Sequence, residues 1–407
     1  SYVKQVWDGR YTGIRMCNQL LENIDRVPDL DPELKKRYIG EAKVLRAYSY
    51  YELYTKFGDI PYTTKVLSIK ESMSIARTAK ATVIANVLAD LDEVINGNYL
   101  PTSYDADNKG RITRWAAMAI KAKIYLFEGN WTQVKNITST IMTEGGFKLF
   151  GSYAGLFEIA NEYNSEVILD AQYRPTSREH QMMYVFLPPT LGGYSQLSPL
   201  QELVDSYIML DGKTIKETGT SFDESHPYAN RDPRLKATVM YTGNSYTLAD
   251  GTEVVINCEK GEGKDGYGVG SDCSATGYYI KKYWDNTYRA TLYSGLNPIL
   301  IRYADILLMN AEALAELGEL DKTAWDATIK PIRDRAGFTL ASALEFPEGA
   351  SKDKLIEIVR NERRSELALE GHRHKDIIRW RIADNVLNGW CHGLKTNDVV
   401  GTDDGYV

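Results

Sequence analysis

Along residues 1 to 57, apolar side chains recur at steps of three and four. Val44, Ala47, Tyr48, Tyr51 and Tyr54 fall on one side of a helix. Asp31-Pro32 supplies a capping carboxylate and a first-turn proline, and Gly58-Asp59 with Pro61 stops the helix. A second helical pair is predicted from Thr82: Val83, Val87, Leu91 and Ile95 line up at fourfold steps, and Gly97 ends the stripe. Thr113 caps a further helix whose buried side carries Ala116, Ala119, Ala122 and Leu126, small residues that let helix axes approach closely.

From about Gly145 to Pro298 the periodicity dissolves into Gly, Pro, Tyr, Ser and Asn, with short strands predicted at Val167-Ile168-Leu169 and Val254-Val255-Ile256. Loops of this length in a folded protein are usually functional. Helix returns over Ile301–Gly318 and Ala324–Ala336, and one long charged helix is predicted from about Lys352 to Trp380. Ala122 precedes Gly129 by the same spacing that separates Ala311 from Gly318, and each glycine leads through a turn into another helix. Helix, small residue, glycine turn, helix is the tetratricopeptide (TPR) plan. The expected fold is therefore mostly α: a TPR-like helical-hairpin scaffold over residues 1–144 and 299–381, a loop-rich insertion over 145–298, and an irregular tail over 382–407.

Composition narrows the function. The chain has 407 residues, 43% hydrophobic and 25% charged, and a net charge of −7, which argues against a nucleic-acid partner. No run of eighteen apolar residues occurs, so no helix is predicted to span a membrane. There are 28 Tyr against 9 Phe; rings carrying a hydroxyl suit surfaces that are half apolar and half wet. Cys17, Cys258, Cys273 and Cys391 show no C-x-x-C spacing, so no zinc site is predicted, while a Cys258–Cys273 disulfide and free thiols both remain open.

The segment NERRSELALEGHRHKDIIRW (361–380) places Glu362, Glu366 and Glu370 at i, i+4, with His372 and His374 close behind. Histidines two apart diverge on a helix, so an ion-pair network with Arg363, Arg364, Arg373 and Arg379 is the stronger reading than a metal. No nucleophile elbow, phosphate-binding glycine loop or H-E-x-x-H motif is present, and neither an enzyme nor a cofactor is predicted.

Sugar binding asks for less: aromatic faces against C–H faces, and amides, carboxylates and guanidiniums for the hydroxyls. The insertion supplies Tyr184, Tyr194, Tyr207, Tyr278, Tyr279, Tyr283, Trp284, Tyr288 and Tyr293, most densely in KKYWDNTYRATLYSG (281–295). The candidate ligand residues are Tyr283, Trp284, Asp285, Asn286, Tyr288 and Arg289, with Tyr184 and Tyr194. The competing reading has these rings packing the loops onto the helices.

Five ordered segments resemble the SusD/RagB-like family: WDGRYTGIRMCNQLLENID (7–25), RAYSYYELYTKFGDIPY (46–62), NRDPRL (230–235), IRYADILLMNAEALAELG (301–318) and NERRSELALEGHRHKDIIRW (361–380). The resemblance implies a TPR-containing helical fold carrying an irregular subdomain. It also implies a lipoprotein at the outer face of the outer membrane of a Gram-negative bacterium of the Bacteroidota type. Such a protein binds a glycan or another nutrient without catalysis and caps a SusC-like TonB-dependent transporter. These motifs mark the fold, with Arg231 and Arg234 as buried or half-buried ion pairs, and no ligand residue carries over from them. Two departures stand out: Cys17 lies inside a helix and cannot be the family's lipidated N-terminal cysteine, and the family's chain usually continues past the point matching Val407. The chain is thus expected to be cut short at both ends. A TPR-like scaffold for a protein, peptide or other non-glycan nutrient is the alternative, and a hydrolase is a third reading that no motif supports.

Overall fold

A computed structural model describes residues 2–287 and 291–396. Several of its helices begin where the sequence supplies a cap. Asp31 accepts a hydrogen bond from the Leu34 amide (2.8 Å) at the start of the Pro32–Phe57 helix, and Gly58, at φ 68°, closes its end on the Tyr54 carbonyl. Thr113 caps the Arg114–Phe127 helix through the Ala116 amide. The chain divides into two compact units, Ser1–Gly146 and Phe147–Val407.

In the first unit the Tyr2–Asn23 and Lys80–Asn96 helices both pack on Pro32–Phe57, and Arg114–Phe127 pairs with Trp131–Glu144 across the Gly129 turn. Tyr50, Leu53, Tyr54, Val83, Val87, Leu91, Ala116, Ala119 and Ala122 are buried, as the spacing of apolar positions predicts.

The second unit joins the loop-rich stretch to the later helices. Val167–Asp170 pairs antiparallel with Ile299–Arg302, which runs straight into the Tyr303–Leu317 helix. Two further antiparallel pairs, Val239–Met240 with Tyr279–Ile280 and Ser245–Thr247 with Glu253–Val255, stiffen the loops. The Tyr303–Leu317 and Lys352–Glu366 helices pack on each other, and the former ends at Gly318 in the left-handed conformation.

Two predicted helices are broken. Residues 322–336 form Lys322–Ala327 and Ile329–Ala336, because Pro331 has no N–H to offer the carbonyl one turn back. The long late helix stops at Glu366 and resumes as Arg373–Arg379. Leu369 (φ 64°) and Gly371 (φ 80°) turn the chain between them, which carries Glu370 off the helix toward Lys282 and Arg302.

Beneath the loops lies a buried charge network. Arg234 pairs with Asp232 (2.7 Å), Glu362 (2.7 Å) and Glu366 (2.8 Å). Arg302 pairs with Glu166 (2.7 Å), Glu366 (2.6 Å) and Glu370 (2.7 Å). Arg335 joins Glu166 and Glu366, Arg333 joins Glu362, and Lys282 joins Glu370. Five cations thus face five carboxylates, so the network is balanced in charge. The late-helix glutamates are structural, as expected, but their partners come from elsewhere in the chain rather than from the neighbouring arginines. Arg363 pairs instead with Asp305 and Asp376, Arg379 with Glu312 and Asp376, Arg364 donates to the Glu202 carbonyl, and Arg373 lies over the Trp380 ring. Arg231 holds the backbone carbonyls of Val204, Tyr207 and Pro227 and is not in an ion pair with Asp232.

Candidate functional site

Among the described residues of 281–295, Lys282, Tyr283 and Asp285 pack inward. Tyr283 is 4% exposed; its ring edge meets Phe157 at 5.0 Å in a cluster with Tyr153, Leu156 and Ile299, and burial pushes its hydroxyl far above the usual range. Asp285 is 2% exposed and accepts from the Thr287 amide (2.9 Å), the Thr287 hydroxyl (2.6 Å) and the Ser294 hydroxyl, closing the turn between them. Neither presents anything to a ligand, and both leave the candidate set. Lys282 explains why the segment turns inward. Its ammonium bonds Glu370 (2.7 Å), the Ala368 carbonyl (2.8 Å) and the Tyr153 hydroxyl (2.9 Å), and burial lowers its pKa to about 8.

Trp284 is half-buried: its indole N–H donates to the Thr247 carbonyl (2.8 Å) and its ring leans on Tyr246. Asn286 is exposed, and Tyr288 and Arg289 lie outside the described residues. Tyr207, Tyr278 and Tyr279 are core side chains. All four cysteines are free thiols, and burial pushes Cys258 up to about 12. Among the described residues no His, Cys, Asp and Glu cluster is arranged for a metal.

Tyr184 and Tyr194 do come together. Their rings stack at 4.2 Å with 28° between planes, and the Tyr194 amide donates to the Tyr184 carbonyl (3.0 Å). Tyr184 sits on the short Met182–Phe186 helix, and the chain returns to it through Pro188, Pro189 and the Gly192-Gly193 pair. Gly192 has φ 83°, while a Cβ on Gly193 would overlap the Leu187 carbonyl, so the turn needs glycine at both positions. Asp265 pins this turn by accepting from the Thr190 amide (2.7 Å) and hydroxyl (2.6 Å). Tyr194 is 40% exposed, which leaves the stacked pair open to solvent.

The neighbouring strand-like segment adds a third ring. His180 and Ser294 exchange both backbone hydrogen bonds (2.9 Å each), which brings Gln181 beside Tyr293, also 40% exposed; the Gln181 amide donates to its hydroxyl (2.8 Å). The His180 ring lies 2.8 Å from the Leu296 carbonyl, and burial lowers its pKa. It meets Tyr173 edge-on at 4.7 Å, and Tyr173 opens a tight Arg174–Arg178 hairpin. The Tyr184–Tyr194 stack and the Gln181–Tyr293 pair thus stand on neighbouring stretches of chain, where a Cβ on Gly192 would lie 3.7 Å from Leu292, and Tyr173 packs on the His180 ring. Sequence reasoning named Tyr184, Tyr194 and Tyr293 among its aromatics but passed over Gln181 and Tyr173. The available signal was the pair of glycines immediately before Tyr194, a place where backbone must approach backbone.

The SusD family profile matches residues 156–403, and a profile described as starch-binding associating with outer membrane matches residues 1–126. The chain belongs to the SusD family. A SusD-like carbohydrate-binding protein from Bacteroides fragilis superposes with a TM-score of 0.88 at 28% identity, covering 100% of this chain and 80% of that one. The SusD-like protein P25 of Formosa agariphila is 28% identical over 95% of this chain and 71% of that protein. A laminarin-binding SusD-like protein superposes at 0.68 with 25% identity, over 94% of this chain and 79% of that one. The mostly α, TPR-like architecture is the family's.

Proposed function

We propose that the chain captures a glycan, without chemical change, for import through a SusC-like TonB-dependent transporter of the outer membrane. In this reading it acts as a lipid-anchored protein at the cell's outer face. The carrying observation is the open Tyr184–Tyr194 stack beside Tyr293, held by loops that are themselves fastened to the interior. Tyrosine faces meet the C–H faces of a sugar ring, while the Gln181 amide and the phenol hydroxyls bond its hydroxyl groups. Family descriptions that join starch binding to the outer membrane support the same reading.

The test is a binding screen of the purified protein against soluble polysaccharides, with product analysis on the same samples. Retention by one class without new reducing ends is expected. The double change Tyr184→Ala with Tyr194→Ala should weaken that binding by roughly tenfold or more, since aromatic hot spots cost about 2 kcal/mol or more each. Binding untouched by the double change would place the glycan elsewhere, and binding to peptides alone would favour the scaffold reading.

A further inference from the structure

Arg174 and Arg178 stand directly opposite each other across a five-residue hairpin. The Arg174 amide donates to the Arg178 carbonyl (2.8 Å) and the Arg178 amide donates back (3.0 Å). Residues paired in this way send their side chains to the same side, about 5 Å apart at Cβ. Both side chains are exposed, and among the described residues neither forms an ion pair. Two like charges side by side repel, and on a chain of net charge −7 they are not part of a generally basic surface.

The hairpin is also built to stay where it is. The Tyr173 amide donates to the Asn297 side chain (2.6 Å), whose own amide donates to Asp170 (3.0 Å). Pro175 packs against Gly295 so tightly that no Cβ fits there. Thr176 takes φ 66°, with its amide on the Glu179 carboxylate (2.8 Å), which ties the nearest acid in sequence to the turn backbone. The Arg178 guanidinium lies over the Tyr173 ring at 5.5 Å, and that ring abuts His180, next to Gln181 and Tyr293. Arg178 is therefore held on Tyr173, beside the His180–Ser294 pair whose chain neighbours are Gln181 and Tyr293, with Arg174 across the hairpin from it.

We propose that Arg174 and Arg178 recognise an anionic substituent, a carboxylate or a sulfate, on the glycan, so that the protein selects acidic over neutral polysaccharides. The proposal rests on the glycan-binding reading above. Two planar forks can grip an oxyanion through several charge-assisted hydrogen bonds, while the sugar rings lie against Tyr293 and the Tyr184–Tyr194 stack.

The test measures affinity of the full chain for polygalacturonate (carboxylate) and dextran sulfate (sulfate), with dextran and laminarin as neutral controls. At least one anionic polymer should bind more tightly than both neutral ones. Arg174→Gln with Arg178→Gln should lower that affinity on the order of tenfold, and Arg174→Lys with Arg178→Lys should keep part of it. Tyr184→Ala with Tyr194→Ala should also lower it. Both arginines are exposed, so the fold tolerates these changes. Which polymer wins distinguishes carboxylate from sulfate. Tightest binding to a neutral glycan, lost with the tyrosines and unmoved by the arginine changes, would overturn the inference and leave the glycan reading intact. Anionic binding indifferent to both sets of changes would overturn the inference as non-specific charge attraction, and no binding to either anionic polymer would overturn it too, while the glycan reading is decided by the wider polysaccharide screen.

Discussion

Glu366 accepts from three guanidiniums at once, those of Arg234, Arg302 and Arg335, with no solvent to share the load. Burial by itself would raise its pKa; the arginines, led by Arg335 and Arg302, outweigh that and hold it well below the carboxylate range. Removing one partner from such a cluster strands the others in a low-dielectric interior. Glu366→Ala is therefore expected to cost about 3–5 kcal/mol in urea denaturation. Asn286→Ala, at an exposed position, should stay within about 0.5 kcal/mol. Equal effects of the two would mean that the network is not what holds this unit. The i, i+4 series of glutamates was legible in the sequence as structural, because a helix aligns such positions. Its true partners were not, since Arg234, Arg302 and Arg335 arrive from three separate segments and only packing decides who meets whom.

Local rules carried the elements as far as they are local. Asp31, Thr113, Gly58 and Gly318 start and stop helices where their backbone chemistry requires, and all four are readable from neighbours in sequence. The break after Glu366 was not readable, because Leu369 adopts φ 64° only so that Glu370 can reach Lys282 and Arg302. Within the aromatic segment 281–295, Tyr283 turns inward for a related reason: ring density signals burial and binding alike, and Lys282 draws it into the interior. The Tyr184–Tyr194 pair depends on a shorter device, the Gly192-Gly193 turn. A methyl group at Gly193 must displace the Leu187 carbonyl, a strain of about 1–3 kcal/mol that the loop relieves by moving. Gly193→Ala is expected to reduce glycan affinity at least as much as Tyr194→Ala, with a modest fall in Tm, read by calorimetry on one sample. Unchanged affinity would show that this turn does not position the stack.

The two compact units carry their charge differently, and acid should separate them. In Phe147–Val407, burial alone would raise the pKa of Glu370, but Arg302 and Lys282 bring it to about 2, and Glu366 is held low in the same way. A carboxylate depressed in the folded state contributes stability above its unfolded value, near 4.3, and that contribution is lost as pH falls toward the folded value. Asp170 works in the opposite direction: burial raises it to about 6, so protonating it between there and its unfolded value near 3.9 adds stability and masks the onset of the loss. In Ser1–Gly146 the carboxylates held low, Glu71, Glu93 and Asp105, lie at or near the surface, where water screens their partners. Lowering the pH from about 4.5 toward about 2.5 should therefore remove hydrogen-exchange protection from the Lys352–Glu366 helix before it touches Pro32–Phe57. Glu370→Gln should flatten that difference, because an amide keeps the shape and has no proton to gain. Simultaneous loss in both helices would show that the buried charges of one unit do not set its acid limit.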